Sequence, residues 1–251
     1  MKFQNKIIII TGGGNGIGKA AAERFASEGA TVVLADWKVE DAEKVAQSLP
    51  GGRAISYKID VSDPEAVKQM MEAVAKKYGK IDVLINNAGI LITGNIIDSS
   101  VEDWKKLSSV NIDGVVYCAK FAMPYLLKSK GCIVNTASVS GLGADWGMVY
   151  YCTTKGAVVN LTRALALDHG SAGVRVNSVC PCLVKTNMAA SWPESAQAKF
   201  TDRVTLGRIP QPEEIASVIA FLASDDAGFI TGVNLPVDGG ATASDGQPRL
   251  G

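Results

Sequence analysis

The chain has 251 residues, 47% of them hydrophobic, which is enough to build one large α/β domain with a substantial core. Its 25 basic and 25 acidic residues balance, and no basic stripe or polybasic cluster indicates nucleic acid or a membrane surface. No apolar run approaches the roughly 20 residues of a spanning helix, and the N-terminal run is too short for a signal peptide. We therefore expect a soluble, cytoplasmic protein.

Short β-branched runs alternate with longer amphipathic runs, which is typical of a parallel sheet with helices on both faces. Strands are predicted near residues 7–11, 31–36, 54–59, 81–86, 131–137, 174–179 and 232–236. Helices are predicted near residues 16–28, 40–48, 64–78, 101–128, 150–170, 188–200 and 212–223. No linker or repeat divides the chain, so we predict a single domain over residues 1–251 that ends in a polar tail, about 239–251.

The first predicted strand leads directly into the glycine-rich stretch 11–18, which opens a helix. Glycines let the backbone turn tightly and approach a ligand, and the first N–H groups of a helix favour an anion. A glycine cluster alone is a weak signal, but here the strand and the helix that the motif requires stand on either side. Asp36 closes the next strand, where a ribose-binding carboxylate belongs in such a unit. The stretch therefore predicts a dinucleotide site.

The cysteines and the histidine do not indicate a metal centre. The five cysteines match no zinc or redox spacing, and we interpret the pair Cys180 and Cys182 as small residues at the end of a strand. The one histidine, His169, is predicted at a helix end, where the helix dipole favours it. We therefore predict no metal site and no hydrolase with a Ser-His-Asp triad.

Tyr151 and Lys155 lie four residues apart in a predicted helix, so both side chains point along one face. Tyr150 lies about 140° from Lys155 on the helical wheel, which makes Tyr151 the better partner. A free tyrosine has a pKa of ~10, and lowering it to ~7 requires ~4 kcal/mol. One cation ~4 Å away, at an effective dielectric constant of ~20, supplies about that much. This spacing occurs by chance in many helices, so other residues must support it.

Polar residues at other predicted strand ends provide that support. Ser138 follows the strand near 131–137, and the run Asn86, Asn87, Ala88 and Gly89 follows the strand near 81–86. The carboxyl ends of parallel strands are where open α/β sheets bind ligands. Asn111 interrupts an apolar helix segment and needs a partner there. It either caps a kink or directs a carbonyl or its side chain at a buried water.

Together, the stretch 11–18, Asp60-Val61, 86–89, Asn111, Ser138, Tyr151 and Lys155 resemble the short-chain dehydrogenase/reductase family, in order and at family-like spacing. The resemblance covers essentially the whole chain. It implies one Rossmann-type, doubly wound α/β domain with seven parallel strands in the order 3-2-1-4-5-6-7. It also implies that Ser138 orients the substrate oxygen, that Tyr151 is the general acid/base, and that Lys155 holds the nicotinamide ribose and lowers the tyrosine pKa. Asn111 would anchor the water of a proton relay.

The same resemblance implies the cofactor contacts. The expected binding residues are Gly12, Asn15, Gly16, Ile17, Asp36, Asp60, Val61, Asn87, Ala88, Gly89, Tyr151, Lys155, Pro181, Val184 and Thr186. Asp36 should accept hydrogen bonds from the ribose 2′-OH and repel a 2′-phosphate, so NAD is expected over NADP. Cys182 departs from the family, which usually has glycine after Pro181, and Cys152 to Thr154 replace more usual small residues.

The expected substrate contacts are Ser138, Ser140, Tyr151, Cys182, Trp146, Met188 and Trp192, partly on a lid over about 187–206. For each of these aromatic residues, packing is favoured over substrate contact, and Asp145 could bind a hydroxyl or simply be solvated. The few charges among these walls favour a neutral secondary alcohol or ketone, including polyols, sugars and steroid-like rings.

Two other functions stay open. A 3-oxoacyl-(acyl carrier protein) reductase would be supported by a basic patch at the mouth of the cleft, although Asp36 counts against it because such relatives commonly use NADPH. A non-catalytic NAD-binding regulatory protein is the more remote alternative, because fold alone does not fix function. The resemblance also implies a homotetramer, with one interface built from the helices near 101–128 and 150–170, and a second from the last strand and the tail.

Overall fold

One twisted sheet forms the centre of the protein, for which a computed structural model describes residues 1–190 and 192–244. Within these residues, seven parallel strands lie in the order β3-β2-β1-β4-β5-β6-β7. The strands are β1 (Ile7–Thr11), β2 (Thr31–Asp36), β3 (Ala54–Lys58), β4 (Val83–Asn86), β5 (Cys132–Thr136), β6 (Arg175–Pro181) and β7 (Asn234–Val237). The predicted fold class and strand order are confirmed.

The helices cover both faces of this sheet. They are α1 (Gly16–Ser27), α2 (Val39–Ser48), α3 (Pro64–Tyr78), α4 (Val101–Ser108), α5 (Gly114–Ser129), α6 (Val139–Leu142), α7 (Val149–His169), α8 (Asn187–Ala190), α9 (Glu194–Arg203) and α10 (Pro212–Ala223). Two of the predicted helix starts are capped by their own side chains. Asp63 accepts hydrogen bonds from the N–H groups of Glu65 and Ala66, and Gln211 and Glu214 form a capping box at α10.

The alternation of side chains along β1 builds two separate cores. Ile8 and Ile10 pack on one face with α1, α2 and α10, whereas Ile7 and Ile9 pack on the other with α3 and α5. All four isoleucines are buried because the strand is covered on both sides. A parallel strand buried in this way reads as a continuous apolar run, which explains why the sequence predicted it well.

The helix predicted over 101–128 is interrupted. A five-residue π-helical turn, Ser109–Asp113, separates α4 from α5. Gly114 packs directly on Val61, since a Cβ there would lie 2.7 Å from Cγ2 of Val61. Asn111 turns inward from the middle of this segment. The wider turn thus accommodates a buried polar side chain that a regular helix would not place there.

The lid also differs from the prediction of one helix over 188–200. It consists of the short helix α8 and the longer helix α9, and Pro193 immediately precedes α9. Proline lacks an N–H group and clashes with a preceding helical turn, so it begins a helix rather than continuing one. Ser191 of the predicted lid and residues 245–251 of the predicted tail lie outside the described residues.

Candidate active site

A cavity of about 1430 Å³ lies at the carboxyl ends of the strands, where the sequence placed the site. All predicted cofactor and substrate residues line it, together with three of the four predicted catalytic residues. These lining residues are Gly12, Asn15, Gly16, Ile17, Asp36, Asp60, Val61, Asn87, Ala88, Gly89, Ser138, Ser140, Trp146, Tyr151, Lys155, Pro181, Cys182, Val184, Thr186, Met188 and Trp192. Asn111 is the exception.

The glycine-rich turn between β1 and α1 cradles one end of the cavity. Gly12 and Gly16 have φ angles of +65° and +53°, a backbone region that favours glycine. Gly18 leaves no space for a side chain, because a Cβ would lie 2.1 Å from the carbonyl oxygen of Gly12. The side chain of Asn15 makes no capping hydrogen bond at the start of α1. A close backbone turn at a helix N-terminus fits the pyrophosphate of a dinucleotide.

The carboxylate of Asp36 is held in place by two backbone N–H groups. Oδ2 accepts from the N–H of Gly14 at 2.9 Å, and Oδ1 accepts from the N–H of Lys38 at 3.0 Å. Asp36 is 7% exposed, and the part that remains open faces the cavity. The ammonium of Lys38 lies 5.1 Å from the ring centroid of the neighbouring Trp37. A fixed, acceptor-only group at the end of β2 fits a ribose diol.

Asn87 connects the cradle to the middle of the sheet. Its Nδ2 donates to the carbonyl oxygens of Thr11 and Gly12 at 3.1 and 3.2 Å. Its Oδ1 accepts from the hydroxyl of Thr136 at 3.3 Å. The hydroxyl of Thr11 also accepts from the N–H groups of Asn87 and Ala88. These contacts fix the relative position of the ends of β1, β4 and β5 around the cavity.

Ser138, Tyr151 and Lys155 meet at the opposite end of the cavity. Ser138 caps the short helix α6, and its hydroxyl donates to the carbonyl oxygen of Pro181 at 3.5 Å beside the phenol of Tyr151. The Nζ of Lys155 lies 5.8 Å from the ring centroid of Tyr151 and donates to the carbonyl oxygen of Thr136 at 2.8 Å. The predicted pairing of Tyr151 and Lys155 on one face of α7 is therefore present, with Ser138 against the phenol.

The pKa values of this pair move in opposite directions because both groups are desolvated. Burial raises the pKa of the Tyr151 phenol to about 12, although the neighbouring hydroxyl of Ser138 opposes this. Burial lowers the pKa of Lys155 to about 8. The expected lowering of the tyrosine pKa by Lys155, aided by the positive charge of an oxidised nicotinamide, stays a prediction. The ammonium is directed at Thr136, so it does little to offset the burial of the phenol.

Asn111 is completely buried and holds two other elements together. Its Oδ1 accepts from the N–H of Ile90 at 2.9 Å. Its Nδ2 donates to the carbonyl oxygen of Ile90 at 2.9 Å and to the hydroxyl of Thr154 at 3.2 Å. Both amide hydrogens are therefore used, and Oδ1 already accepts one hydrogen bond. A relay water held by Asn111, through its backbone carbonyl or its side chain, stays a prediction.

The predicted substrate residues all line the cavity, but they differ in the contacts that they make within the protein. The hydroxyl of Ser140 donates to Oδ2 of Asp145 at 2.6 Å. Trp192 packs edge-on against Phe200, with ring centroids 5.2 Å apart, whereas the side chain of Trp146 is 87% exposed. Burial raises the pKa of Cys182 to about 11, so this thiol is neutral. Ser140 and Trp192 thus make protein contacts as well as lining the cavity.

Comparison with known proteins identifies the chain. A family model described as enoyl-(acyl carrier protein) reductase matches residues 12–242. A meso-2,3-butanediol dehydrogenase of Serratia marcescens is 64% identical over 250 residues, which cover 100% of both chains. This chain belongs to the short-chain dehydrogenase/reductase family. It is accordingly an oxidoreductase that interconverts an alcohol and a ketone with a nicotinamide cofactor.

More distant members of the family match almost the whole chain. A 3-oxoacyl-[acyl-carrier-protein] reductase of Thermotoga maritima is 39% identical over 244 residues, covering 96% of this chain and 99% of that protein. The crystal structure of 3-ketoacyl-(acyl-carrier-protein) reductase from Brucella melitensis, complexed with NADH, has a TM-score of 0.91 and 34% identity, and the match covers 95% of this chain and 99% of that one.

The sequence assigned no role to two residues that position Tyr151 and Lys155. Thr136 supplies the carbonyl that receives Lys155, and Thr154 bonds both Asn111 and the carbonyl oxygen of Tyr151. A backbone carbonyl leaves no trace in a sequence. Thr154 was noticed only as a departure from the family pattern, and its position three residues after Tyr151, on the same side of a helix, was the available signal.

Two general properties complete the description of this dehydrogenase. Across residues 1–190 and 192–244, no helix is both long and apolar enough to span a membrane. The same residues contain no group of three or more histidine, cysteine, aspartate or glutamate side chains that could hold a metal ion.

Proposed function

We propose that the protein is an NAD-dependent dehydrogenase that interconverts a small vicinal diol and the corresponding hydroxyketone. The observation that carries the reaction is the contact of Ser138 with the Tyr151 phenol beside Lys155, within one cavity. The 64% identity to a meso-2,3-butanediol dehydrogenase over the whole chain supports a diol as substrate. Trp192, packed on Phe200, gives the lid an apolar patch that lines the cavity and suits a small neutral molecule.

Tyr151 exchanges the proton at the reacting oxygen. In reduction, the neutral phenol donates its proton to the carbonyl oxygen, and in oxidation the tyrosinate accepts the proton of the alcohol. When bound, the nicotinamide accepts or donates the hydride at the carbon. Ser138 holds the reacting oxygen against the phenol by its hydroxyl. The charge of Lys155 stabilises the tyrosinate that forms in reduction.

The phenol favours its neutral form in the protein alone, so oxidation needs added positive charge near it. Lys155 is 5% exposed and has a lowered pKa of about 8, so it is still mostly protonated at neutral pH. A cation at a distance of ~4 Å, at an effective dielectric constant of ~20, contributes ~4 kcal/mol. We propose that Lys155 reaches the phenol more closely with the cofactor ribose in place than it does in its contact with Thr136.

Asp36 supports NAD as the cofactor rather than NADP. Its carboxylate is fixed by the N–H groups of Gly14 and Lys38 and cannot easily turn away from a 2′-phosphate. A fixed negative charge repels that phosphate and accepts the 2′-OH of NAD. The glycine turn, with no room for a side chain at Gly18, supports binding of the pyrophosphate beside it.

A second candidate, a 3-oxoacyl-(acyl carrier protein) reductase, is favoured by one feature of the cavity. Lys106, Lys199 and Arg203 line it, and the last two lie one helical turn apart on α9. An acidic carrier protein would be attracted by such charges. Asp36 argues against this candidate in the same way as before, because it disfavours NADPH.

The two candidates are separated by substrate and cofactor screening of the purified enzyme. We expect NAD-linked oxidation of 2,3-butanediol and NADH-linked reduction of acetoin. Under the same conditions, we expect much lower kcat/KM values with NADPH and a 3-oxoacyl thioester. Faster reduction of the thioester with NADPH would favour the second candidate and reject the first.

We further propose a homotetramer. Phe229, just before β7, is fully exposed, and Leu167 on α7 is 83% exposed. Large apolar side chains on the outer face of a domain are typical of an interaction surface. Leu167 lies on a helix predicted to form one interface, and Phe229 lies five residues before the strand predicted to form the other. Analytical ultracentrifugation should give a mass about four times that of the chain, and a stable monomer would reject the proposal.

A further inference from the structure

The loop between α6 and α7 carries an acidic side chain into the substrate end of the cavity. Asp145 and Trp146 both line the cavity. The N–H of Asp145 donates to Sγ of Cys152 at 3.3 Å, and the carbonyl oxygen of Gly147 accepts from the N–H of Gly94 at 2.6 Å. These two contacts fasten the loop on either side of Trp146. The loop therefore presents its side chains in a defined position.

The carboxylate of Asp145 is oriented by the residues that also orient the phenol. Its Oδ2 accepts from the hydroxyl of Ser140 at 2.6 Å. The N–H of Ser140 donates to the hydroxyl oxygen of Ser138 at 3.1 Å, and that hydroxyl lies beside the phenol of Tyr151. Two hydrogen bonds through Ser140 thus connect Ser138 to the carboxylate.

The second carboxylate oxygen is left for a ligand. Across the part of the chain that the structure describes, Oδ1 of Asp145 has no hydrogen-bond partner, and the residue is half-buried against the cavity. An ionised carboxylate only accepts hydrogen bonds. The hydroxyl of Ser140 already donates to it, so a further partner must bring its own hydrogen.

Asp145 lies close enough to the phenol of Tyr151 for its negative charge to raise the pKa of that phenol, and both residues line the same cavity. Resting on the proposed dehydrogenase function, we propose that Asp145 binds the hydroxyl adjacent to the reacting carbon and so selects vicinal diols and hydroxyketones. A simple alcohol lacks the donor. A diketone presents a carbonyl oxygen to the carboxylate, and two acceptors repel each other.

The expected ratio of kcat/KM values follows from the cost of leaving the Asp145 carboxylate oxygen without a hydrogen-bond donor from the substrate. A hydrogen bond to a charged group discriminates between ligands with and without the donor by about 10- to 100-fold. Wild-type enzyme should therefore show a kcat/KM at least 10-fold higher for 2,3-butanediol than for 2-butanol. In reduction, acetoin should exceed diacetyl by a similar factor, a comparison that needs no variant.

The decisive test is the ratio of kcat/KM values for 2,3-butanediol and 2-butanol in wild type, Asp145→Ala and Asp145→Asn. We expect Asp145→Ala to lower the ratio by about 10- to 100-fold. Asp145→Asn should lower it less and should improve diacetyl reduction, because an amide both accepts and donates. Asp98→Ala is the charge-matched control, since Asp98 is exposed and does not line the cavity, and its ratio should equal that of wild type.

Two further measurements distinguish a loss of substrate selectivity from a loss of cofactor binding or of folding. The dissociation constant for NADH, from fluorescence, should be the same in all four proteins, and near-ultraviolet circular dichroism should show that each is folded. An unchanged ratio in a folded Asp145→Ala enzyme would overturn the inference and leave the proposed function standing. Wild-type enzyme that oxidises neither alcohol would overturn the proposed function together with the inference.

Discussion

Replacement of Asp36 by alanine should change which nicotinamide cofactor the enzyme prefers. The side chain is 7% exposed, and its two oxygens accept the N–H groups of Gly14 and Lys38 at 2.9 and 3.0 Å. Its charge is therefore fixed beside the cavity. The alanine variant loses an acceptor for the ribose hydroxyl and also loses the repulsion of a 2′-phosphate.

The magnitude follows from these two effects. A hydrogen bond to a charged group contributes about 1.5 to 3 kcal/mol, and this is what NAD binding loses. Two unit charges ~6 Å apart, at an effective dielectric constant of ~20, repel by about 3 kcal/mol, and part of this is screened at an open cleft. A combined change of about 3 to 4 kcal/mol corresponds to roughly a 100- to 1000-fold fall in the preference for NAD over NADP.

The assay is kcat/KM for NAD and NADP at saturating diol, supported by dissociation constants for NADH and NADPH. Asp36→Asn removes the charge while keeping an acceptor for one backbone N–H, and it should show most of the effect. Lys38→Gln is the control, because the Lys38 ammonium lies against the Trp37 ring, and its preference should change less than about threefold. A preference that is the same in wild type and Asp36→Ala would refute the assignment of Asp36.

Three other substitutions test the pH response, the cradle and the scaffold. Because burial lowers the pKa of Lys155 from its ordinary 10.5 to about 8, the unfolded chain binds the proton more tightly. The stability of wild type should therefore rise with pH. Between pH 8 and pH 10, its unfolding free energy, measured by urea denaturation, should increase by about 2 to 3 kcal/mol relative to that of Lys155→Met. The same dependence of unfolding free energy on pH in both proteins would contradict this. Gly18→Ala places a Cβ 2.1 Å from the carbonyl oxygen of Gly12. It should lower the unfolding free energy by about 1 to 3 kcal/mol in urea denaturation and weaken NADH binding measured by fluorescence. Wild-type affinity for NADH would contradict the proposal that this turn binds the pyrophosphate. Arg175 donates to the carbonyl oxygens of Leu222 and Ser224 at the end of α10. Arg175→Met should therefore lower the unfolding free energy in urea by about 2 to 4 kcal/mol and leave the affinity for NADH unchanged. A urea midpoint equal to that of wild type would contradict this.

The sheet was predictable because each strand is a short apolar run buried on both faces. Ile8 and Ile10 pack into one core and Ile7 and Ile9 into the other. A short β-branched run of this kind is typical of a buried parallel strand. The breaks within the helices were less predictable. The π-helical turn around Asn111 depends on the contacts of its side chain with Ile90 and Thr154, which come from distant parts of the chain.

The site was predicted as a set of residues more successfully than as a set of roles. Tyr151 and Lys155 are close neighbours by helical spacing alone, and the structure places them together. The lowered pKa of Tyr151 stays a prediction, because in the protein without its cofactor burial raises the pKa of the phenol while Lys155 is directed at Thr136. Asp145 was left open between a ligand contact and a solvated loop, since its bond to Ser140 depends on loop geometry.

The central claim, that Tyr151 moves the proton in an alcohol–ketone interconversion, is tested most directly by Tyr151→Phe. The phenylalanine keeps the ring and the packing of α7 but removes the hydroxyl that Ser138 contacts. Loss of a positioned acid/base group typically lowers the rate by about 100- to 10,000-fold. We predict that kcat for acetoin reduction falls by at least about 100-fold. The NADH dissociation constant should stay within about threefold of the wild-type value. Turnover equal to wild type in the folded variant would contradict the account.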